Sequence, residues 1–412
     1  MEETFYDKNK ALIFLGIFFV ISIISISVWF LFFKTTNVVA VNNNPLNLPI
    51  TGENRDNSYV DGTYQNQNDV EVDGEGEFRA FWHLYEKPVA GYGFSYVDAS
   101  STVLFVDKAT GHIYKAVYNE DKDDFDTVKI SSTTFKNVAS AVFSVGGDYV
   151  MINYKNSKSV SESYVAKVPR TENTESLDGA VMGQNLSRVT TSLSGAKFAY
   201  LKSFGVGSSI NIYDAVQSKE TQLTNLPISD LKLTFVAGNN IIASTKPTAF
   251  AAQQNFILDT NSKKISDFIT STGTINISPS GKSYIASEGL NLVHYEAPYG
   301  VSQAYEAFTV SDKCVWHTVS LICASDKTNR PNSLKYPDSW YKGYVRFSDS
   351  LMFLDVPNKK ISDIYNLSFE AGELIDFYRP KISTDNRYIN FTNKRDGSLW
   401  VFYAPQIAPA GN

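Results

Sequence analysis

The sequence predicts an all-β chain folded as a β-propeller, and three observations carry that prediction. The first is the stretch 273–295, GTINISPSGKSYIASEGLNLVHY, where an apolar strand, a Ser-Pro-Ser-Gly corner, a second strand, a turn and a third strand follow one another. The second is that looser copies of the corner recur at 144–150, 192–198, 235–241 and 383–389. A period of about 40–50 residues with several short strands per repeat marks blades arranged around an axis. The third is composition. The 412 residues include 27 Phe, 24 Tyr and 5 Trp, a strand-rich make-up in a chain long enough to bury a large core.

Aligning the corners at Gly147, Gly195, Gly238, Gly281, Val319 and Asn386, with a degenerate one near Asp98, gives seven units, six or eight being the other counts considered. Each unit reads as an inner strand, a corner, two further strands and an outer strand. The third strands end in similar turns, IYDAVQ (212–217), ILDTNS (257–262) and FLDVPN (353–358). An Asp there bonds the backbone two residues on, so these carboxylates read as turn formers and not as catalytic acids. The last unit stops after LWVFY (399–403) one strand short, while an extra strand at 77–84 precedes the first unit. Pairing the two would close the ring over 77–405 and remove both open edges.

The interval before the last corner is the longest, because 325–346 (SDKTNRPNSLKYPDSWYKGYVR) is inserted between the second and third strands of blade six. Long loops on a rigid scaffold are where binding residues concentrate. Tyr336, Trp340, Tyr341 and Tyr344 are therefore candidates to stack on a sugar or grip a partner, the alternative being that they pack the loop onto the propeller. Cys314 and Cys323 flank the corner of the same blade. If Val315 pairs with Ile322 and Trp316 with Leu321, the two cysteines face each other with Cβ atoms about 4.5–5.5 Å apart, close enough for a disulfide. Two free buried thiols are the other reading.

Residues 11–33, ALIFLGIFFVISIISISVWFLFF, carry no charge and no proline, and as a helix would cross a bilayer. A ten-residue tail with Lys8 and Lys10 precedes this expected transmembrane helix. The basic residues favour that tail inside and the rest of the chain on the extracytoplasmic side of a bacterial cytoplasmic membrane. Small residues at Val38-Val39-Ala40 keep a cleaved signal peptide open as the alternative. A flexible linker is expected over 34–76 and a short tail over 406–412. Within the linker, LPITG at 48–52 spells a sorting pentapeptide, but the apolar run precedes it instead of following it. Asp69, Glu71, Asp73 and Gly74 imitate half of a calcium loop, yet Ala80 stands where the closing Glu belongs.

A net charge of −6 without a basic stripe argues against nucleic acid as a partner. His83, His112, His294 and His317 are scattered without metal-ligand spacing, and no nucleophile elbow or phosphate-cradling loop is present. Neither metal nor cofactor is expected. The run Ser-Pro-Ser-Gly-Lys-x-Tyr-Ile-Ala at 278–286 resembles the Ser-Pro-Asp-Gly-Lys corner of bacterial WD-repeat-like propellers of the Tol-system type. The runs at 87–91, 110–114, 130–134, 338–341 and 393–400, with the hairpin around Cys314 and Cys323, are similar to membrane-anchored bacterial propellers. That resemblance, over about 80–405, implies the fold, an anchor and partner binding, and it carries no catalytic residues. The expected function is a non-catalytic binding or scaffold module for an envelope protein or polymer, such as a polysaccharide. The alternative is a propeller-type hydrolase or lyase acting on a cell-surface glycan. Clustered Asp, Glu and His at the channel mouth would favour the enzyme; aromatic groups without such pairs would favour the platform.

Overall fold

Seven antiparallel four-stranded sheets follow one another along the chain and make a seven-bladed propeller. The computed structural model describes residues 80–404, except 96–101, 272, 298–299, 301 and 329–333. The expected membrane helix, the linker with its two motifs and the carboxy-terminal tail lie outside the described residues. No described helix is long and apolar enough to cross a membrane. Blades one to six occupy 89–131, 138–184, 186–226, 231–271, 275–305 and 314–365. Blade seven combines 377–403 with the strand Phe81–Tyr85.

Blade five shows why the corner motif is written as it is. Ser278 Oγ accepts the Ser283 N–H at 3.1 Å while its carbonyl accepts the Gly281 N–H at 2.9 Å, and Gly281 sits at φ 71°. Ser144 and Ser383 make the same pair of bonds, with Gly147 at φ 76° and Asn386 at φ 60° in the fourth position. Serine thus holds both sides of the corner, and the left-handed residue must be Gly or Asn. Blade six has no such corner; Thr318, at φ 54°, and Val319 turn the hairpin between His317 and Ser320. Asp214 and Asp259 each accept two backbone N–H groups in the turns after the third strands, and Asp355 accepts one. They are turn formers, as their repetition suggests.

Ring closure follows the expected route. Phe81 pairs with Phe402, Trp82 with Val401 and His83 with Trp400, so the amino-terminal strand becomes the outer strand of blade seven. Its side chains alternate between the two flanking blades. Phe81 packs with Phe391, Trp400 and Tyr365 toward blade six, and Trp82 packs with Tyr118 and Phe125 of blade one. The core is repeated in the same way at each junction: Ile322, Leu351, Phe377, Ile389 and Phe391, all buried, join blades six and seven. Cys314 and Cys323 are register partners on the two inner strands of blade six and are joined by a disulfide.

Candidate binding face

In a four-stranded antiparallel blade, the connections between strands two and three and those leading to the next blade emerge at the same end. The insertion belongs to the first kind, lying between Ser320–Ser325 and Ser350–Asp355, and it stays on that face. Its one-turn helix, Asp338–Tyr341, reaches beyond its own blade. Asp338 accepts the Ala249 N–H at 2.7 Å and the Thr248 hydroxyl at 3.0 Å, both from the corresponding loop of blade four. The Tyr341 hydroxyl donates to Asp312 in the connection from blade five to six, and Asp312 in turn receives Lys232 of blade four's inner strand at 3.0 Å. Trp340 packs edge-on against Tyr378 of blade seven's inner strand, with ring centroids 5.7 Å apart. Inner strands line the axis of a propeller, and blades four and seven lie on nearly opposite sides of a seven-membered ring. The insertion therefore spans the mouth of the central channel.

A buried charge cluster pins it there. Lys313, Asp349 and Asp376 have no exposure to speak of, and Lys313 Nζ lies 2.5 Å from Asp349 Oδ2 and 2.7 Å from Asp376 Oδ1. Trp340 Nε1 donates to both Asp376 oxygens at 3.0 and 3.1 Å, and the Phe377 N–H donates to Asp349 at 2.6 Å. Lys313 also stands over the Phe347 ring at 4.0 Å. Lys394 Nζ donates to the Trp340 carbonyl at 2.8 Å, and burial lowers its pKa. One ammonium shared by two carboxylates cannot fully compensate both. Burial, only partly offset by Lys313 and reinforced by Asp376, pushes the Asp349 carboxyl up to about 7.

Of the four aromatic candidates for contact, three turn inward, as the packing alternative has it. Trp340 is fully buried, and Tyr336 joins it with Val345 and Phe347 in one apolar cluster. Tyr341 is spent on Asp312, and burial first, then that carboxylate, raise its pKa so that it remains a donor. The physical reason is that large rings with one polar atom find both burial and a partner beneath the cap. Tyr344 alone faces solvent, 77% exposed.

The residues that join Tyr344 leave no pattern in the sequence. Among the described residues, the other exposed large aromatics are Phe250 (73%), Phe369 (69%), Phe204 (48%) and Phe308 (42%). Phe204 ends the second strand of blade three at its two-to-three turn, Phe250 sits in the two-to-three connection of blade four, and Phe308 and Phe369 sit in connections to the next blade. All five thus lie on the insertion's face, in an arc from blade three to blade seven. The inner strands add charge: Arg188, Lys232 and Arg379 are exposed there, with Lys381 beside Arg379.

His112 lies on this face, in the two-to-three connection of blade one. His294 and His317 are buried in blades five and six, and burial keeps their pKa values low. His112 bonds Thr134 in the connection from blade one to two. His83 stacks on Trp400 at 3.9 Å, in a rim groove of about 280 Å³ that Glu370 and Glu373 also line. No described group of His, Cys, Asp and Glu could hold a metal ion. Three carboxylates at the mouth are engaged: Asp230 by Arg188, Asp312 by Lys232 and Tyr341, and Asp338 by blade four.

Comparison with known proteins adds likeness of fold. No family model matches the chain, and no curated protein matches it. The β-propeller domain of Cps50 (Swd1) from Myceliophteria thermophila is similar at TM-score 0.47 and 9% identity, over 79% of this chain and 99% of that one. TolB from Acinetobacter baumannii is similar at TM-score 0.37 and 17% identity, over 53% of this chain and 56% of its own. The propeller domain of the Trilobed protease from Pyrococcus furiosus reaches TM-score 0.41 at 12% identity, over 62% and 79%. Likeness of fold does not carry function, which must be argued from the site.

Proposed function

We propose that this chain is a non-catalytic binding platform that presents the face of the insertion to a protein of the bacterial cell envelope. The observation that carries the reading is the confinement to that face, around a capped channel mouth, of all five large aromatics exposed among the described residues. Aromatic residues are enriched where proteins meet. In this reading residues 11–33 anchor the chain in the cytoplasmic membrane and 34–76 give the propeller reach on the extracytoplasmic side. The Cys314–Cys323 bridge supports that placement, since disulfides persist in oxidising compartments. The glycan-cleaving alternative needs two carboxylates free to act on one bond, and engagement of Asp230, Asp312 and Asp338 weighs against it.

Deleting 325–346 would be a poor test, because Trp340 is part of the core. The better test compares surface substitutions. Intact chain is cross-linked in cells and recovered beside Phe250→Asp/Tyr344→Asp and beside Leu193→Asp/Val216→Asp, the latter pair lying on the opposite face. A discrete partner held by the intact chain and the second variant but lost with the first supports the reading. Equal loss from both faces, or from neither, contradicts it. Release of the intact chain from membranes by high salt alone would contradict the anchor.

A further inference from the structure

We propose that the channel mouth where blade seven meets blade one is a carboxylate-binding site, with Arg379 as the receiving group, and that it takes an acidic segment of the partner protein. The inference rests on the platform reading and gives the partner its chemistry.

Two arginines occupy equivalent places in the ring. Arg188 and Arg379 lie on the inner strands of blades three and seven, each where a bulge shifts the pairing register. Both backbones are left-handed, at φ 52° and 54°, a conformation that bulky side chains seldom adopt. Arg188 is satisfied by a two-pronged ion pair with Asp230, Nε to Oδ1 at 2.6 Å and an Nη to Oδ2 at 2.9 Å. Asp230 immediately precedes the inner strand of blade four. The position immediately before the inner strand of blade one is Pro88, which cannot pair.

Arg379 accordingly has no carboxylate partner among the described residues. Its guanidinium lies 4.9 Å from the ring of its neighbour Tyr378 and stays exposed. Lys381, two residues on, donates to the Tyr92 carbonyl at 2.7 Å, stands over the Tyr92 ring at 5.3 Å, and likewise meets no acid. The other exposed cations of the inner strands are both neutralised, Arg188 by Asp230 and Lys232 by Asp312. Burial first, and Arg379 second, pull Lys381 down to about 8. A planar carboxylate fits the open fork of Arg379 as Asp230 fits that of Arg188, and the aromatic arc beside it suits a peptide better than a small ion.

The test is calorimetric titration of the full chain in detergent with a blocked peptide of alternating Asp and Gly, its Asn counterpart, and inorganic phosphate. The Asp peptide is expected to bind, the Asn peptide not, and binding to fall at least about tenfold in Arg379→Gln and in Lys381→Gln. Arg188→Gln, at the occupied site, is expected to leave binding within about twofold. Absence of binding, insensitivity to both substitutions, or equal affinity for the Asn peptide overturns the inference. Phosphate that binds as tightly and displaces the peptide overturns the peptide assignment in favour of a small anion. If the aromatic-face substitutions abolish partner capture while Arg379→Gln does not, this inference falls and the platform reading stands.

Discussion

Lys313 is the single cation between two buried carboxylates, and the position of the cap depends on it. Taking one member from a buried pair leaves an uncompensated charge, typically at about 3–5 kcal/mol. Lys313→Met is therefore expected to lower unfolding free energy by about that amount in urea titration, a larger loss than from the exposed pair of Lys122 and Asp126. Asp349 adds a pH dependence. Its folded pKa, about 7, lies above the ordinary value of 3.8. Between those values the folded chain binds more protons than the unfolded one, so this group's contribution is complete below about 4 and is lost as pH rises through 7. Urea midpoints measured at pH 5 and pH 8 should differ less in Asp349→Asn than in the parent. An undiminished difference would assign it elsewhere. None of this was legible in the sequence, because Trp340 and Asp376 are 36 residues apart and no periodicity couples them. The same holds for Arg379, whose exposure depends on a bulge.

The hairpin was the legible unit. A serine that bonds both sides of the corner and a Gly or Asn at left-handed φ leave a local imprint, so corners could be aligned without knowing their neighbours. The pairing of Val315 with Ile322 was readable for the same reason, since register in a tight hairpin is set locally. The bridge closes a short loop, and replacing both Cys314 and Cys323 by Ser is expected to cost about 2–3 kcal/mol by thermal or urea unfolding. The need for glycine at Gly91 was not interpretable from sequence. Gly91, on blade one's inner strand, has no room for a side chain: a Cβ there would lie 1.8 Å from the Ala141 carbonyl oxygen of blade two. Gly195, at φ 70°, has nothing within 4 Å. Gly91→Ala is thus expected to cost about 3 kcal/mol or more by forcing two blades apart, and Gly195→Ala only about 1 kcal/mol of backbone strain. Similar losses at the two sites would refute the close approach.

The whole ring depends on one non-local pairing, the strand Phe81–Tyr85 against Leu399–Tyr403. It was foreseen because an unpaired first strand and a three-stranded last blade are complementary deficits. Trp82, 1% exposed, donates to the Asp123 carbonyl at 2.9 Å and fills the junction with blade one. Trp82→Ala is expected to destabilise the propeller by about 3–5 kcal/mol. The proposed face was legible only in part: the insertion pointed to one end of the ring, but its rings mostly serve the core, and the exposed aromatics come from loops that carry no sequence pattern. The most direct test of the account places a photo-crosslinking residue at Phe250, at Tyr344 and, on the opposite face, at Val216. The account predicts one discrete adduct shared by the first two positions and absent from the third. An adduct at Val216 alone, or at all three positions alike, would contradict it.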